Sequence, residues 1–374
     1  MKILLLSDTY SEHTEKWAKA LADKGHQVGL FSFNKASYEW HNHANITVFF
    51  EPPQKINAES TLTKLSYLKY VSILRKIIRH FEPDILHAHY ATSYGLVGAL
   101  SKFHPFVLSV WGSDVYDFPT HSRLHRRVFQ YNLKRADTLL STSEVMKSEL
   151  QKYTSKEIVV TPFGVDTQEF APRELNDKEQ ARIHVGTIKP IEEKYGIHDI
   201  IDAAEIIIKE RGQTQYLFYL IGDGYDLDLY RHLVQERQLA AYFVITGRIP
   251  FSEVHEYHNL LDIFLNVSVN DSESFGVATV EAMASETPVI VTDVGGLMEV
   301  IGQGKYGTVI PKNNPSALAD AILHISSEPT FYKQQAKAAR EHVLRTYDWS
   351  NNLELMISEY AKLVSHKKEG KKRR

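Results

Sequence analysis

The chain has 374 residues, room for two domains at about 100–200 residues each. Apolar residues make up 43% and charged residues 24%, which excludes bulk disorder. Lys and Arg number 43 against 46 Asp and Glu, so the net charge of −3 shows no basic excess toward nucleic acid. With no cysteine, disulfides, thiol catalysis and thiolate zinc sites are excluded.

Buried parallel strands read as short continuous apolar runs, and helices as 3.6-period amphipathic segments. Ile3 to Leu6 is such a strand, too short for a signal peptide. A helix runs from about Glu12 to Asp23 and stops at Lys24-Gly25. His26 to Phe31 and Ile46 to Phe50 read as strands. Leu62 to Phe81 is a basic amphipathic segment, its expected core face being Leu65, Leu68, Ile73, Ile77 and Ile78. Strands follow at Asp84 to His87, Phe106 to Val110, Leu139 to Thr142 and Ile158 to Val160. The pattern breaks at Pro162-Phe163-Gly164, and the polar stretch Val165 to Glu179 reads as a linker. Alternation restarts with a strand at Ile183, a helix near Ile197 to Lys209, and a strand at Tyr216 to Ile221. A helix near Leu227 to Leu239 precedes strands at Phe243, Ile263, Val289 and Thr308. The expected fold is α/β, two Rossmann-like domains with parallel sheets facing an interdomain cleft. The expected bounds are 1–165 and 166–345, a helix over 346–366 packing back on the first domain, and a basic tail over 367–374. No apolar stretch approaches the ~20 residues of a membrane span, so a cytoplasmic protein is expected.

Ligands of open parallel sheets bind in the loops after the carboxyl ends of strands. The most informative such loop leads into Val277 to Ala284, a helix apolar almost all round with one charge, Glu281. A carboxylate there is costly unless hydrogen-bonded, and ligand hydroxyls are natural partners. Gly276 leaves the first helical N–H groups open to an anion. The residues alone leave a second reading open, in which Glu273 is a cap-region acid and Glu281 bonds neighbouring backbone. His87 and His89 lie two apart at a strand end and face the same way, which suits a polar network or an acceptor contact better than a metal pair. Asp114 suits an acceptor-orienting acid or a helix cap. Asp226 and Asp228 fall where acids suit a helix dipole. Gly222-x-Gly224 is followed by Leu227 where a dinucleotide fingerprint needs Gly or Ala, which argues against NAD.

Glu273-Ser274-Phe275-Gly276 with Glu281 eight residues beyond Glu273, the pattern Glu-x7-Glu, resembles the signature of the retaining glycosyltransferases of family 4. Further matching segments occur in order: Lys24 to Val28, Pro83 to Tyr90, Trp111 to Val115, Pro162 to Asp166, Ile221 to Gly224, Ala282 to Ala284 and Val294 to Gly296. The resemblance runs from Met1 to about Trp349 and implies the GT-B fold. It implies that Glu281 holds the ribose hydroxyls of a nucleotide-sugar donor and that Glu273 sits beside the sugar and its diphosphate. Phe275, Gly276 and Val277 would offer backbone N–H groups, with Gly222 nearby, and Lys194 would meet the diphosphate. Three departures stand out. Thr187 replaces the family arginine after Val185-Gly186, with Lys189 as its expected substitute. Trp111 stands where the family often has His. The first loop carries Ser7 to Thr14 in place of Gly-Gly, leaving His13 or Thr14 to make the contact.

The resemblance implies a retaining, metal-independent transferase needing no cofactor, with Glu273, Lys194 and Asp114 as its catalytic set. Lys189 would bind the donor, and His13, His89 and Trp111 would contact acceptor or sugar. The expected partners are a UDP- or GDP-sugar and a lipid-linked saccharide acceptor of surface-polysaccharide assembly. The six basic residues among Lys367 to Arg374 suit a solvated tail or an anionic membrane surface. The alternatives are a sugar-nucleotide epimerase of similar shape and a non-catalytic nucleotide-sugar-binding protein.

Overall fold

In the first α/β unit, apolar runs with no exposed face form a seven-stranded, all-parallel sheet. The computed structural model describes residues 1–34, 37–50, 67–174 and 182–372. The strands are β1 (Lys2–Leu6), β2 (Gln27–Ser32), β3 (Ile46–Phe50), β4 (Ile85–His89), β5 (Phe106–Ser109), β6 (Thr138–Ser141) and β7 (Ile158–Val160), in the order β3-β2-β1-β4-β5-β6-β7. Ile3 to Leu6 are fully buried, as strands covered by helices on both faces must be. The unit comprises Met1–Phe163 and Asn351–Arg374.

The second unit, Gly164–Ser350, holds a six-stranded parallel sheet. Its strands are β8 (Ile183–Ile188), β9 (Tyr216–Ile221), β10 (Phe243–Gly247), β11 (Ile263–Asn266), β12 (Val289–Thr292) and β13 (Thr308–Ile310), in the order β10-β9-β8-β11-β12-β13. Both sheets reverse their winding, between β1 and β4 and between β8 and β11. The loops after those strands flank a switch point, where open α/β sheets bind ligands. The second core gathers Val185, Phe218, Leu220, Leu265 and Ile290 against Ile197, Ile200, Ile201 and Ile322 of flanking helices.

Two details differ from expectation and a third agrees with it as far as the described residues reach. The amphipathic segment is described as the helix Tyr67–Phe81, which buries Tyr70, Val71, Leu74 and Ile77 while Ile73 and Ile78 are only half-buried. Positions 70, 74 and 77 repeat at helical spacing, so they share a stripe that Ile73 and Ile78 border. Leu62, Leu65 and the Leu68 side chain lie outside the described residues. The helix Ile197–Glu205 runs on into a π-helical turn, Ile206–Glu210. Much of the linker expected over Val165 to Glu179 is irregular up to Glu174, and 175–181 lie outside the described residues.

The helix Trp349–Lys372 closes the chain and belongs to the first unit. Its Tyr360 is buried and meets His87 Nδ1 at 2.6 Å, a bond between residues 273 apart in sequence. Lys24 pairs with Glu354 at 2.5 Å on the same helix. The side chains of Lys367, Lys368, Lys371, Lys372, Arg373 and Arg374 lie outside the described set. Among the described residues no helix is long and apolar enough to cross a membrane.

Candidate functional site

In the second unit, the β8 and β11 loops meet because their strands are neighbours. Lys189 Nζ lies 2.8 Å from Glu273 Oε1, and both side chains are nearly covered, at 11% and 13% exposure. Lys194, on the same β8 loop, turns to Glu192 at 2.8 Å and is 47% exposed. Partial burial works against its charge, but Glu192 and Tyr195 together outweigh this and hold the ammonium above the usual lysine range. Both ammonium groups flank the Tyr195 ring, at 5.1 Å and 5.0 Å from its centroid. Two cations on one short loop form a natural seat for a polyanion. Of the two, Lys189 is the partner of Glu273.

The β9 loop is locked against this loop by Gly222, at φ 140°. A Cβ there would fall 2.0 Å from the Lys189 carbonyl oxygen. Only glycine allows both that backbone angle and that approach, so Gly222 fixes the backbone that carries Lys189.

Gly276, at φ 75°, turns the β11 loop into the helix Val277–Ala284. A Cβ would sit 2.4 Å from Leu297 Cδ2. The first N–H groups of a helix have no acceptor within it, so Val277 and its neighbours point donors and a positive dipole end out of the turn. Phe275 is buried and packs edge-on against Tyr347 at 5.3 Å. At the other end of the helix, Arg340 bonds the carbonyl oxygens of Ala284, Phe170 and Thr167, satisfying a terminus that would otherwise be orphaned.

Glu281 is buried in this helix, as its all-round apolar pattern predicts. Its Oε2 meets Nε2 of fully buried His258, on the helix Val254–Leu260, at 3.3 Å. The sequence reading missed His258 and Arg340. Neither lies in a recognisable motif, and nothing local links position 258 to 281 or 340 to 284.

In the first unit, the loops after β1, β4 and β5 bring aromatic and polar groups together. His13 stacks on Phe163 at 4.2 Å and meets Trp111 edge-on at 5.8 Å. Trp111 lies 4.5 Å from His89. His89 Nδ1 bonds Ser7 Oγ at 2.9 Å, and Ser7 Oγ meets Thr14 Oγ1 at 2.6 Å. His87 is held between Tyr360 and Ser109, its Nε2 2.7 Å from Ser109 Oγ. Burial lowers His87 to about 3. Burial, reinforced by His87 and His13, also holds His89 well below the usual histidine range. Both rings are therefore neutral at pH 7. Two neutral imidazoles serve as hydrogen-bonding groups and do not bring positive charge to a ligand.

Asp114 is tied to the backbone of two loops. It is buried, and its oxygens accept from the N–H groups of Ala91, Trp111 and Gly112 at 2.7, 3.1 and 2.9 Å. Burial pushes its carboxyl up, and those bonds partly offset the shift. Through these bonds Asp114 clasps the β4 loop to the β5 loop. Asp226 likewise accepts from the Glu193 N–H at 3.0 Å, a structural task.

Comparison with known proteins follows this geometry. Residues 2–143 match the "Glycosyl transferase 4-like" family model, and residues 166–342 match "Glycosyl transferases group 1". The chain is 28% identical to an uncharacterised glycosyltransferase of Methanocaldococcus jannaschii, covering 91% of this chain and 93% of that one. It is 27% identical to a Bacillus subtilis glycosyltransferase named for teichuronic acid biosynthesis, covering 75% of this chain and 71% of that one. It superposes on Anabaena HepE, solved with UDP-glucose, with a TM-score of 0.77 at 20% identity, covering 97% of this chain and 100% of that one. The two family matches take in both sheets and both groups of loops, and the chain belongs to the family 4-type glycosyltransferases of the GT-B fold.

Proposed function

We propose that this glycosyltransferase moves a hexosyl group, with retention, from a UDP- or GDP-sugar to the hydroxyl of a saccharide acceptor. The observation that supports this best is the Lys189–Glu273 pair at the β8/β11 switch point, beside the Gly276 turn. The diphosphate would take the charges of Lys189 and Lys194 and the N–H groups of Gly276 and Val277. Glu281 would accept the ribose hydroxyls. Relatives named for cell-surface polymers, such as the teichuronic acid enzyme, support a lipid-linked saccharide as acceptor.

In this reading the bond from the anomeric carbon to the phosphate oxygen breaks as the acceptor oxygen bonds the same face. The acceptor proton passes to the departing phosphate oxygen. Negative charge grows on the diphosphate, and fixed cations that meet it there are worth more than in water. Glu273, held by Lys189, sits where it can steady the sugar hydroxyls or the positive charge developing on the ring. The two lysines and backbone donors do the work a divalent cation does elsewhere, so we propose metal-independent transfer.

The test is donor turnover with a panel of UDP- and GDP-sugars, with and without EDTA. Release of nucleoside diphosphate with net retention at the anomeric carbon, unaffected by EDTA, is the expected outcome. Inverted product, or loss of activity in EDTA restored by manganese or magnesium, would replace the mechanism. Binding of a nucleotide sugar with no turnover on any acceptor or water would favour a sensor.

A further inference from the structure

We infer that His258 is a positioning residue for the donor site, holding Glu281 in the orientation that receives a nucleoside's vicinal hydroxyls. This rests on Glu281 binding the donor, as proposed above, and adds a residue that no motif marks.

Glu281 projects from an otherwise apolar helix, where an unpartnered carboxylate is costly. Its Oε2 has His258 Nε2 at 3.3 Å. The other ring nitrogen, Nδ1, is buried and has no hydrogen-bond partner among the described residues. Around the ring stand Phe170, at 5.7 Å, and Phe264, at 5.2 Å between centroids. A ring with its proton on Nε2 fits these surroundings: the N–H donates to Glu281, and the bare Nδ1 leaves no buried N–H unmatched. The opposite tautomer would bury an N–H without an acceptor and set a lone pair against a carboxylate, costly on both counts.

Such a bond engages one carboxylate oxygen and leaves Oε1 to accept from a ligand. The ring itself is anchored. Its helix is pinned where Thr287 Oγ1 donates to the His258 carbonyl oxygen at 2.7 Å. Metal-ligating histidines use the same device in reverse, a carboxylate fixing a ring. Here a packed ring fixes a carboxylate, so that Glu281 meets a diol already oriented.

The experiment measures the Kd of UDP or GDP, whichever the unmodified protein binds, by calorimetry, with thermal midpoints as a folding check. His258→Leu removes the donor. His258→Gln places an amide N–H near the Nε2 position, and His258→Asn places it near Nδ1. We expect Kd to rise about three- to tenfold in His258→Leu and His258→Asn, and to return within about twofold of the unmodified value in His258→Gln, in line with a bond to a charged group. In the Glu281→Ala background the His258→Leu effect should vanish, since the two act as one unit. Nuclear magnetic resonance of 15N-labelled histidine should show the proton on Nε2.

If His258→Leu lowers the thermal midpoint while leaving Kd unchanged, His258 is a packing residue and the inference fails. If His258→Leu does not fold, the Gln and Asn pair decides, and equal Kd in the two overturns the inference. If Glu281→Ala itself leaves Kd unchanged, the assignment of Glu281 to the donor fails and takes the inference with it. Those failures are distinct, because the last needs no change at position 258.

Discussion

Single residues divide the chemistry unevenly. Lys189 and Lys194 share a loop and a flanked tyrosine, yet one is covered and paired with Glu273 and the other is half in solvent. A covered charge acts through a low dielectric, and an exposed one is screened. Lys189→Ala should therefore lower kcat/KM by more than Lys194→Ala, and should also leave Glu273 without its cation. We expect at least a hundredfold loss for Lys189→Ala, or ~2.7 kcal/mol of transition-state stabilisation. Steady-state kinetics on both variants checks this, and a larger loss at Lys194 would reverse the assignment. His87 gives a pH prediction. Its folded value of about 3 lies below the ordinary 6.5, so the unfolded chain binds the extra proton between those limits. Stability should thus be intact above about pH 6.5 and fall as pH drops from there toward 3, at up to ~1.4 kcal/mol per unit from this residue. His89 adds a fall of the same sign. Urea unfolding at pH 7.5, 6 and 5 should show a shallower decline in His87→Gln, and an unchanged slope would reject the burial account.

Elements set what these residues can reach. The strand order places the β8 loop beside the β11 loop, and Gly222 on the β9 loop fixes the backbone at Lys189. Gly222→Ala should displace that loop, because its Cβ would fall 2.0 Å from the Lys189 carbonyl oxygen. We expect a weaker nucleotide-sugar Kd by about tenfold and a lowered thermal midpoint, at a strained-backbone cost of ~1–3 kcal/mol. Calorimetry and a melting curve check it, and unchanged donor affinity would show that the loop gives way freely. The helix Tyr67–Phe81 illustrates a different limit. It carries Lys69, Arg75, Lys76 and Arg79, but Arg75 donates to the Leu100 and Ser101 carbonyl oxygens, closing the end of the helix Ser93–Ser101. A basic residue on an exposed face is thus in part a helix cap.

At the scale of the whole molecule, each unit has its own core, and the last helix belongs to the first unit through Tyr360 and Glu354. Charge on the surface is uneven. The helix Arg123–Arg135 holds Arg123, Arg126, Arg127, Lys134 and Arg135 with no acid, and exposes Leu124 and Tyr131. The tail from Lys367 adds six more basic residues. We expect the full chain to bind anionic liposomes at low salt and to lose them at 1 M salt, where the Debye length is ~3 Å. Removing Lys367 to Arg374 should weaken that binding while leaving turnover on a water-soluble acceptor unchanged. Equal liposome binding with and without the tail would exclude the tail as a membrane contact.

The fold class was legible because it is written in local patterns. Ile3 to Leu6 and Tyr216 to Ile221 are continuous apolar runs of strand length, as strands covered on both faces have, and helices such as Glu12–Asp23 carry one apolar stripe. The burial of Glu281 was legible for the same reason, since Val277 to Ala284 offers no polar face for it to use. Partners were not legible. Glu273 meets Lys189 rather than Lys194 because β8 and β11 are neighbours and the loop backbone fixes which lysine reaches. Glu281 meets His258 across packed helices, and His87 on β4 meets Tyr360 on the last helix. Asp114 accepts from three backbone N–H groups of two loops, a convergence that its local sequence does not encode. A periodic pattern constrains one element at a time, through water exclusion along its own length. The identity of a buried charge's partner depends on which elements the chain brings together, and that is decided only when the sheets and their helices pack.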